Sequence, residues 1–450
     1  MIRMNLRSVG LILIVNIFVL FFYITTGLSN DYLFFFTNFI IITISIFGIL
    51  YNPKQYFNLA KLFYLFSFFF FGIVPYLDNI SQNYYWSGGE IDYEYFVITN
   101  ILIITSLLIF LFINIVYTKK VINVKKYHDK CKSGKKRILL IILILTLSAS
   151  YLILARNNYS FLTMLVRGVT SSQEVNVIPL STLQGLIFQY FITPLPVISL
   201  LLYKYFYYDK SGTMNNLNVI LLFSLCLIFV APTSVARFLA AALYLAILLS
   251  YTEVFQKQYR FPLSMIFGLL VVFPFLDKFR HFDMEKFNFT IDYSFFQAGH
   301  FDAYHNFVRV ISIDFVSYGY QLLGPLLFYV PRGVWHDKPV GSGHQLAYLE
   351  GFSFSNISMP FLAEGYVNFG VVGTVIFIIL LSRLFTFLDN LYWSLKPIYT
   401  NHWFYNIYYL SLGLSFFVLR GDLMASFAYT FTILGSYVFF LFFLKTIFRI

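Results

Sequence analysis

Apolar residues fall into long runs along this chain, and a hydrocarbon core about 30 Å thick needs about 20 of them per helix. Such runs lie near residues 9 to 27, 32 to 50, 61 to 76, 95 to 117, 138 to 155, 185 to 206, 218 to 231, 238 to 252, 261 to 277, 366 to 388, 403 to 419 and 423 to 444. They predict an all-α polytopic membrane protein of about twelve transmembrane helices. The first run, after MIRMNLR, is too long for a signal-peptide core and lacks a small-residue cleavage site, so it reads as a span. The largest polar interruption, residues 278 to 365, separates the ninth run from the tenth. Inside it VISIDFVSYGYQLLGPLLFYV, Val310 to Val330, is apolar but broken by glycine and proline, which predicts a re-entrant or surface-lying helix. Irregular backbone at membrane depth is stable only when buried in protein or facing a water-filled cavity. With no internal repeat and no linker of Pro or Gly/Ser, residues 1 to 450 read as one membrane domain.

Charge orients these runs. With the N-terminus inside, the inner segments carry 21 of the 31 Lys and Arg, including the cluster KKVINVKKYHDKCKSGKKR, but only four of the 20 acids. Lys and Arg concentrate on the cytoplasmic side of membrane proteins, so both termini are expected in the cytoplasm and the 278 to 365 loop outside. Composition agrees, with 59% hydrophobic and 11% charged residues. The formal net charge of +11 follows from this sidedness and is no pointer to nucleic acid. Cys131, in a basic loop, and Cys226, in an apolar run, make no disulfide framework.

Arginine in an apolar surround costs at least about 2.5 kcal/mol on insertion scales and marks a functional position. APTSVARFLAA puts Arg237 at the outer junction of the seventh and eighth runs, and FFVLRGDLMA puts Arg420 in the turn between the eleventh and twelfth. The planar guanidinium suits phosphate or carboxylate. For Arg420 the competing role is an ion pair with Asp422 or an interface anchor; Arg237 has no acid close in sequence, which favours a ligand. In the outer loop PRGVWHDKP sets Arg332, His336, Asp337 and Lys338 between two prolines, predicting a shaped loop and no helix. Arg332 and Lys338 would hold an anion and His336 or Asp337 would move a proton, against the plainer reading of solvated charges on a rigid loop. Arg280, at the start of this loop, is a further anion-binding candidate. Asp302, in GHFDAYHNFVR, and Glu364, in SMPFLAEGYVNFGVVG, are candidate general bases beside apolar neighbours, with a helix-start role as the alternative for Glu364. Five of the seven histidines lie in the loop, but no HExxH or tight Cys/His spacing accompanies them, so neither a metal nor another cofactor is expected.

The words FDAYHNFVRVI, GYQLLGPLLFYVPRGVWHDKPVGSGHQLA and NISMPFLAEGYVNFGVVGTV resemble the Wzy-type O-antigen polymerases, the oligosaccharide repeat-unit polymerases of bacterial envelopes. The resemblance is densest over about residues 300 to 375. It implies a GT-C-like membrane fold and metal-independent glycosyl transfer between undecaprenyl-pyrophosphate-linked oligosaccharides, donor and acceptor, at the periplasmic face. A chain-length regulator and a flippase would be its partners. By this analogy Arg332, Lys338 and Glu364 fall on motif positions, and Arg237 and Arg420 match more loosely. The rivals are an O-antigen ligase, which uses the same kind of donor, and a lipid-linked oligosaccharide flippase or transporter. Against the transporter stand the lack of duplicated halves and the concentration of polar residues outside. A sensor or structural membrane protein is a third alternative, in which the loop words are mere shape.

Overall fold

The computed structural model describes residues 10, 17, 32–52, 54–81, 86, 91–118, 136–166, 182–207, 216–257, 259–281 and 299–448. Among them every regular element is helical. In chain order the main helices are α1 (Tyr32–Leu50), α2 (Leu59–Ser81), α3 (Tyr93–Thr118), α4 (Lys136–Arg156), α5 (Leu183–Tyr207), α6 (Asn216–Phe229) and α7 (Arg237–Tyr251). There follow α8 (Arg260–Asp277), α9 (Ala303–Ser312), α10 (Tyr320–Leu326), α11 (Ser342–Leu349), α12 (Phe361–Leu395), α13 (Trp403–Arg420) and α14 (Leu423–Phe448). Eight of them, α1 to α5, α8, α12 and α14, are long and apolar enough to cross a membrane, and the shorter apolar helices Leu217–Phe229 and Arg237–Tyr251 join them in the bundle. The protein is thus a polytopic helical membrane protein. Each expected span from the second to the twelfth coincides with a helix; the first, residues 9 to 27, lies outside the described residues apart from two isolated positions.

Three spans contain a π-helical stretch, Ser67–Ile73 in α2, Phe188–Ile192 in α5 and Gly268–Val272 in α8. A π turn frees backbone carbonyls that lipid cannot satisfy. In α2 the neighbouring helix solves this: Asn38 of α1 donates its amide to the carbonyls of Phe71 and Gly72, at 3.1 and 3.0 Å. Tight contacts elsewhere rest on small residues. A methyl group at Gly413 of α13 would collide with the Ala242 backbone of α7, so these antiparallel helices touch backbone to backbone. That contact sets the start of α7 and the end of α13, with Arg237 and Arg420, at the same end of the bundle.

α12 departs from the expected straight span. Phe369 and Gly370 have non-helical angles, φ −146° and +62°, and the first two turns fold back along the rest. Thr374 donates its hydroxyl to the Leu362 carbonyl at 3.3 Å, whereas twelve residues of straight helix would separate the two by about 18 Å. Gly365 and Gly373 make the reversal possible, because a methyl on either would strike the backbone of the other. The carbonyls of Val367 and Asn368, released at the bend, accept from the amides of Ser317 and Gly319 at 2.7 and 2.8 Å.

At the opposite end Asp389 of α12 closes the start of α2. Its carboxylate accepts from the Leu59 and Ala60 amides at 2.9 and 3.2 Å and from the Tyr408 hydroxyl at 2.6 Å. Side-chain acceptors at a buried helix start satisfy donors that have no partner within the helix.

Candidate functional site

Residues 299 to 302 of the large loop pack over the end of the bundle where α7 begins and α13 stops. Arg237 is the first residue of α7, where a cation opposes the helix dipole. A specific set of partners holds it there: Nη1 lies 3.0 Å from Asp277 Oδ1, the guanidinium stacks on Phe273 at 4.3 Å, and Nη2 lies 3.3 Å from His300 Nδ1. The acid that is missing from Arg237's sequence neighbourhood is therefore supplied by the far end of α8. Burial holds the His300 imidazole below its usual range, against the pull of Asp277.

Arg420 approaches the same segment from α13. Its Nε donates to the His300 carbonyl at 2.9 Å, and Nη2 reaches the Gly299 carbonyl and Asp302 Oδ1, both at 3.2 Å. The ion pair is with Asp302 and not with Asp422. Asp302 itself is 0% exposed. Besides Arg420 it receives the Ser358 hydroxyl and amide, the Asn306 amide and the Trp86 indole N–H, at 2.5 to 3.2 Å. With this many donors already on its two oxygens, Asp302 is held in place and orients Arg420. Trp86 also stacks on Phe354 at 5.1 Å.

Gly421 separates Arg420 from Asp422, and across that turn lies a pair of carboxyls. Glu364, in the reversed first turn of α12, is 1% exposed. Its Oε2 accepts from the Ser342 hydroxyl and its Oε1 from the Leu423 amide, both at 2.8 Å. Asp422 accepts from the Gly343 amide at 3.1 Å and the Met424 amide at 2.9 Å. The two carboxyls thus sit at the meeting point of two helix starts, α11 and α14, where exposed amides favour negative charge. Burial pushes the Asp422 carboxyl above its ordinary value while these amides pull it down. Glycine is required in the strap above: a side chain at Gly341 would run into the Asp422 carboxylate, and one at Gly343 into the Ile357 carbonyl at 2.5 Å.

The remaining predicted residues sit in the strap's approach. Residues 331 to 340 form turns without a helix, as the flanking prolines require. Lys338 is buried and donates Nζ to the carbonyls of Phe328 and Val330 at 2.8 and 2.9 Å, closing the end of α10; burial, and then Arg332, lower its pKa. Arg332 is exposed and spends two donors on the Lys338 and Pro339 carbonyls, at 2.6 and 3.0 Å. His336 is exposed on the same loop, and the backbone of Arg280 falls in the short helix Lys278–His281, with its side chain outside the described residues. The structure therefore joins Arg237, Arg420 and Asp302 in one cluster, sets Glu364 one turn away, and uses Lys338 as a loop fastener.

Comparison with protein-family models, curated proteins and solved structures finds no match for this chain. The site's chemistry has to be argued from its own residues. Among the described residues no three His, Cys, Asp or Glu side chains gather as a metal site would need. Sequence reasoning did not select Asp277, His300, Ser342 or Trp86, and it considered Asp422 only as a partner for Arg420. An Asp immediately before a long apolar run is a helix-start signal, and that signal could have singled out Asp422.

Proposed function

We propose that this protein is a metal-independent glycosyltransferase that polymerises undecaprenyl-pyrophosphate-linked oligosaccharide units on the outer face of the bacterial inner membrane. One observation carries the reading: the three sequence words that resemble the polymerases meet around a single two-residue turn. FDAYHNF supplies Asp302 against Arg420, PVGSG supplies Ser342 and Gly343, and AEGYVNFG supplies Glu364 beside Asp422. Cations and a carboxyl pair placed side by side are what transfer from a diphosphate leaving group needs.

In this reading the acceptor hydroxyl oxygen bonds to the anomeric carbon of the donor as the carbon–oxygen bond to pyrophosphate breaks. Arg237 and Arg420 stabilise the departing diphosphate, with Arg332 at the loop edge. Glu364 takes the acceptor proton, backed by Asp422; since Glu364 lies beneath Ser342, the Gly341 to Gly343 strap has to part for the acceptor to reach it. The bundle, by this reading a twelve-span GT-C-like fold, would admit the polyprenyl tails from the bilayer.

The test is purified protein given a lipid-linked repeat unit alone, with products separated by size. A ladder of longer lipid-linked glycans is expected, and Arg237→Ala and Glu364→Gln should lose it while expressing normally. Transfer only after lipid A core is added would favour a ligase, and movement of substrate between leaflets without growth would favour a flippase.

A further inference from the structure

The segment from Tyr320 to Tyr329 is amphipathic in the wrong direction for a loop in water. The face of α10 that packs on the protein consists of Gln321, Gly324 and Pro325, all buried. The outward face is a stripe at three-residue spacing, Tyr320, Leu323, Leu326 and, just past the helix, Tyr329, exposed by 45%, 40%, 51% and 62%. A helix that buries a glutamine and a glycine and turns two leucines and two tyrosines outward is unfavourable against water, since apolar side chains left exposed forgo the stabilisation of burial.

Its position supplies the missing solvent. α10 lies on the first turns of α14: a methyl group at Gly324 would come within 2.6 Å of the Met424 side chain. The Phe328 ring meets the rings of Phe427 and Phe431, with centroids 6.3 and 5.9 Å away. Phe431 is itself 61% exposed and begins the outward face that α14 continues through Phe439, Phe442 and Phe443. α14 is a span by length and composition, so that face looks into lipid. From Met424 to Phe431 is about 10 Å of helix, a depth at which the stripe meets the boundary between headgroups and acyl chains.

We propose that Tyr320 to Tyr329 is an in-plane membrane element whose Tyr320, Leu323, Leu326 and Tyr329 stripe is seated in the acyl chains of the outer leaflet. The occupant of this face is the bilayer, continuous with the lipid already required around α14. Tyrosines at both ends of the stripe suit the headgroup boundary. The exposed Arg332, three residues beyond Tyr329, then lies at the level of the lipid phosphates. This inference rests on the membrane character of α14 alone and survives whether or not the protein polymerises glycans.

The test has two arms on full-length protein in liposomes. Spin labels on single cysteines at 323, 326 and 329, in a Cys131→Ser and Cys226→Ser background, should relax with oxygen and be shielded from a water-soluble nickel chelate; a label at Val334, 78% exposed, should show the opposite. Unaltered protein in liposomes doped with a diazirine phospholipid should carry label on the 320 to 329 peptide after illumination. Nickel access at 323 and 326 would overturn the proposal. So would exclusion of both agents with dipolar broadening between copies, which would put a second chain on the stripe. A diazirine map with α14 labelled and 320 to 329 clean would overturn it independently of any substitution.

Discussion

Arg420 and Asp302 give the clearest energetic statement at the level of single residues. An exposed ion pair is worth little, but removing one partner of a buried pair leaves an uncompensated charge at a cost of about 3–5 kcal/mol. Asp302 is fully enclosed, so Arg420→Gln should destabilise the protein by about 3 kcal/mol, read as a fall in the unfolding midpoint in detergent. In a double-mutant cycle with Asp302→Asn the losses should be non-additive by about 1 kcal/mol or more. Additive losses would show that the two side chains act separately and would remove the positioning role given to Asp302. The arginines and Glu364 were legible in the sequence because a charge in an apolar surround is conspicuous and expensive. Their partners were not. Asp302 is 118 residues from Arg420, and Asp277 closes a different helix from the one Arg237 opens, so only tertiary packing brings them together. The same blindness made Lys338 look like a ligand for phosphate, when its ammonium is occupied by two loop carbonyls.

Among the elements, α12 separates what periodicity can and cannot reveal. Hydropathy sees an unbroken run after Glu364 and predicts a straight span, and one glycine in such a run carries little signal because glycine is common in membrane helices. The reversal comes from Gly370 at positive φ together with Gly365 and Gly373, spaced so that two backbones can touch only after the chain has turned back. It decides where Glu364 points. Gly373→Ala should therefore abolish well-folded protein, measured as the monodisperse fraction in size-exclusion chromatography. Gly435→Ala in α14, where nothing stands within 4 Å of an added methyl, should be neutral or raise the unfolding midpoint. Equal tolerance at both positions would mean that the close contact at the bend carries no weight. The loop around PRGVWHDKP, in contrast, was readable from its prolines, whose fixed φ and missing donors forbid a helix wherever they stand.

For the whole molecule, sidedness is an expectation that rests on charge alone. The count of Lys and Arg near span ends needs only approximate boundaries, so a bent span in place of a straight one leaves that expectation as it was. Fusions to a reporter that is active only outside the cytoplasm should be bright after Gly341 and dark after Asn401. The inverse pattern would turn the carboxyl pair and the arginines inward and exclude an outer-face polymerase. Helix-to-helix packing was less legible. α7 and α13 are brought together by Gly413 against the Ala242 backbone, a contact with no periodic signature.

Asp389, at the end of the bundle away from Arg237 and Arg420, has a consequence for how the protein is made. The start of α2 waits for a carboxylate 330 residues further along the chain. At a synthesis rate of 5–20 residues per second that delay is roughly 15 to 70 s. Through this interval Asn58 caps only the Lys61 amide at the start of α2, and the Leu59 and Ala60 amides are left to water. The cap on these two amides forms only when the tenth expected span has emerged, so a chain truncated before Asp389 should lack it.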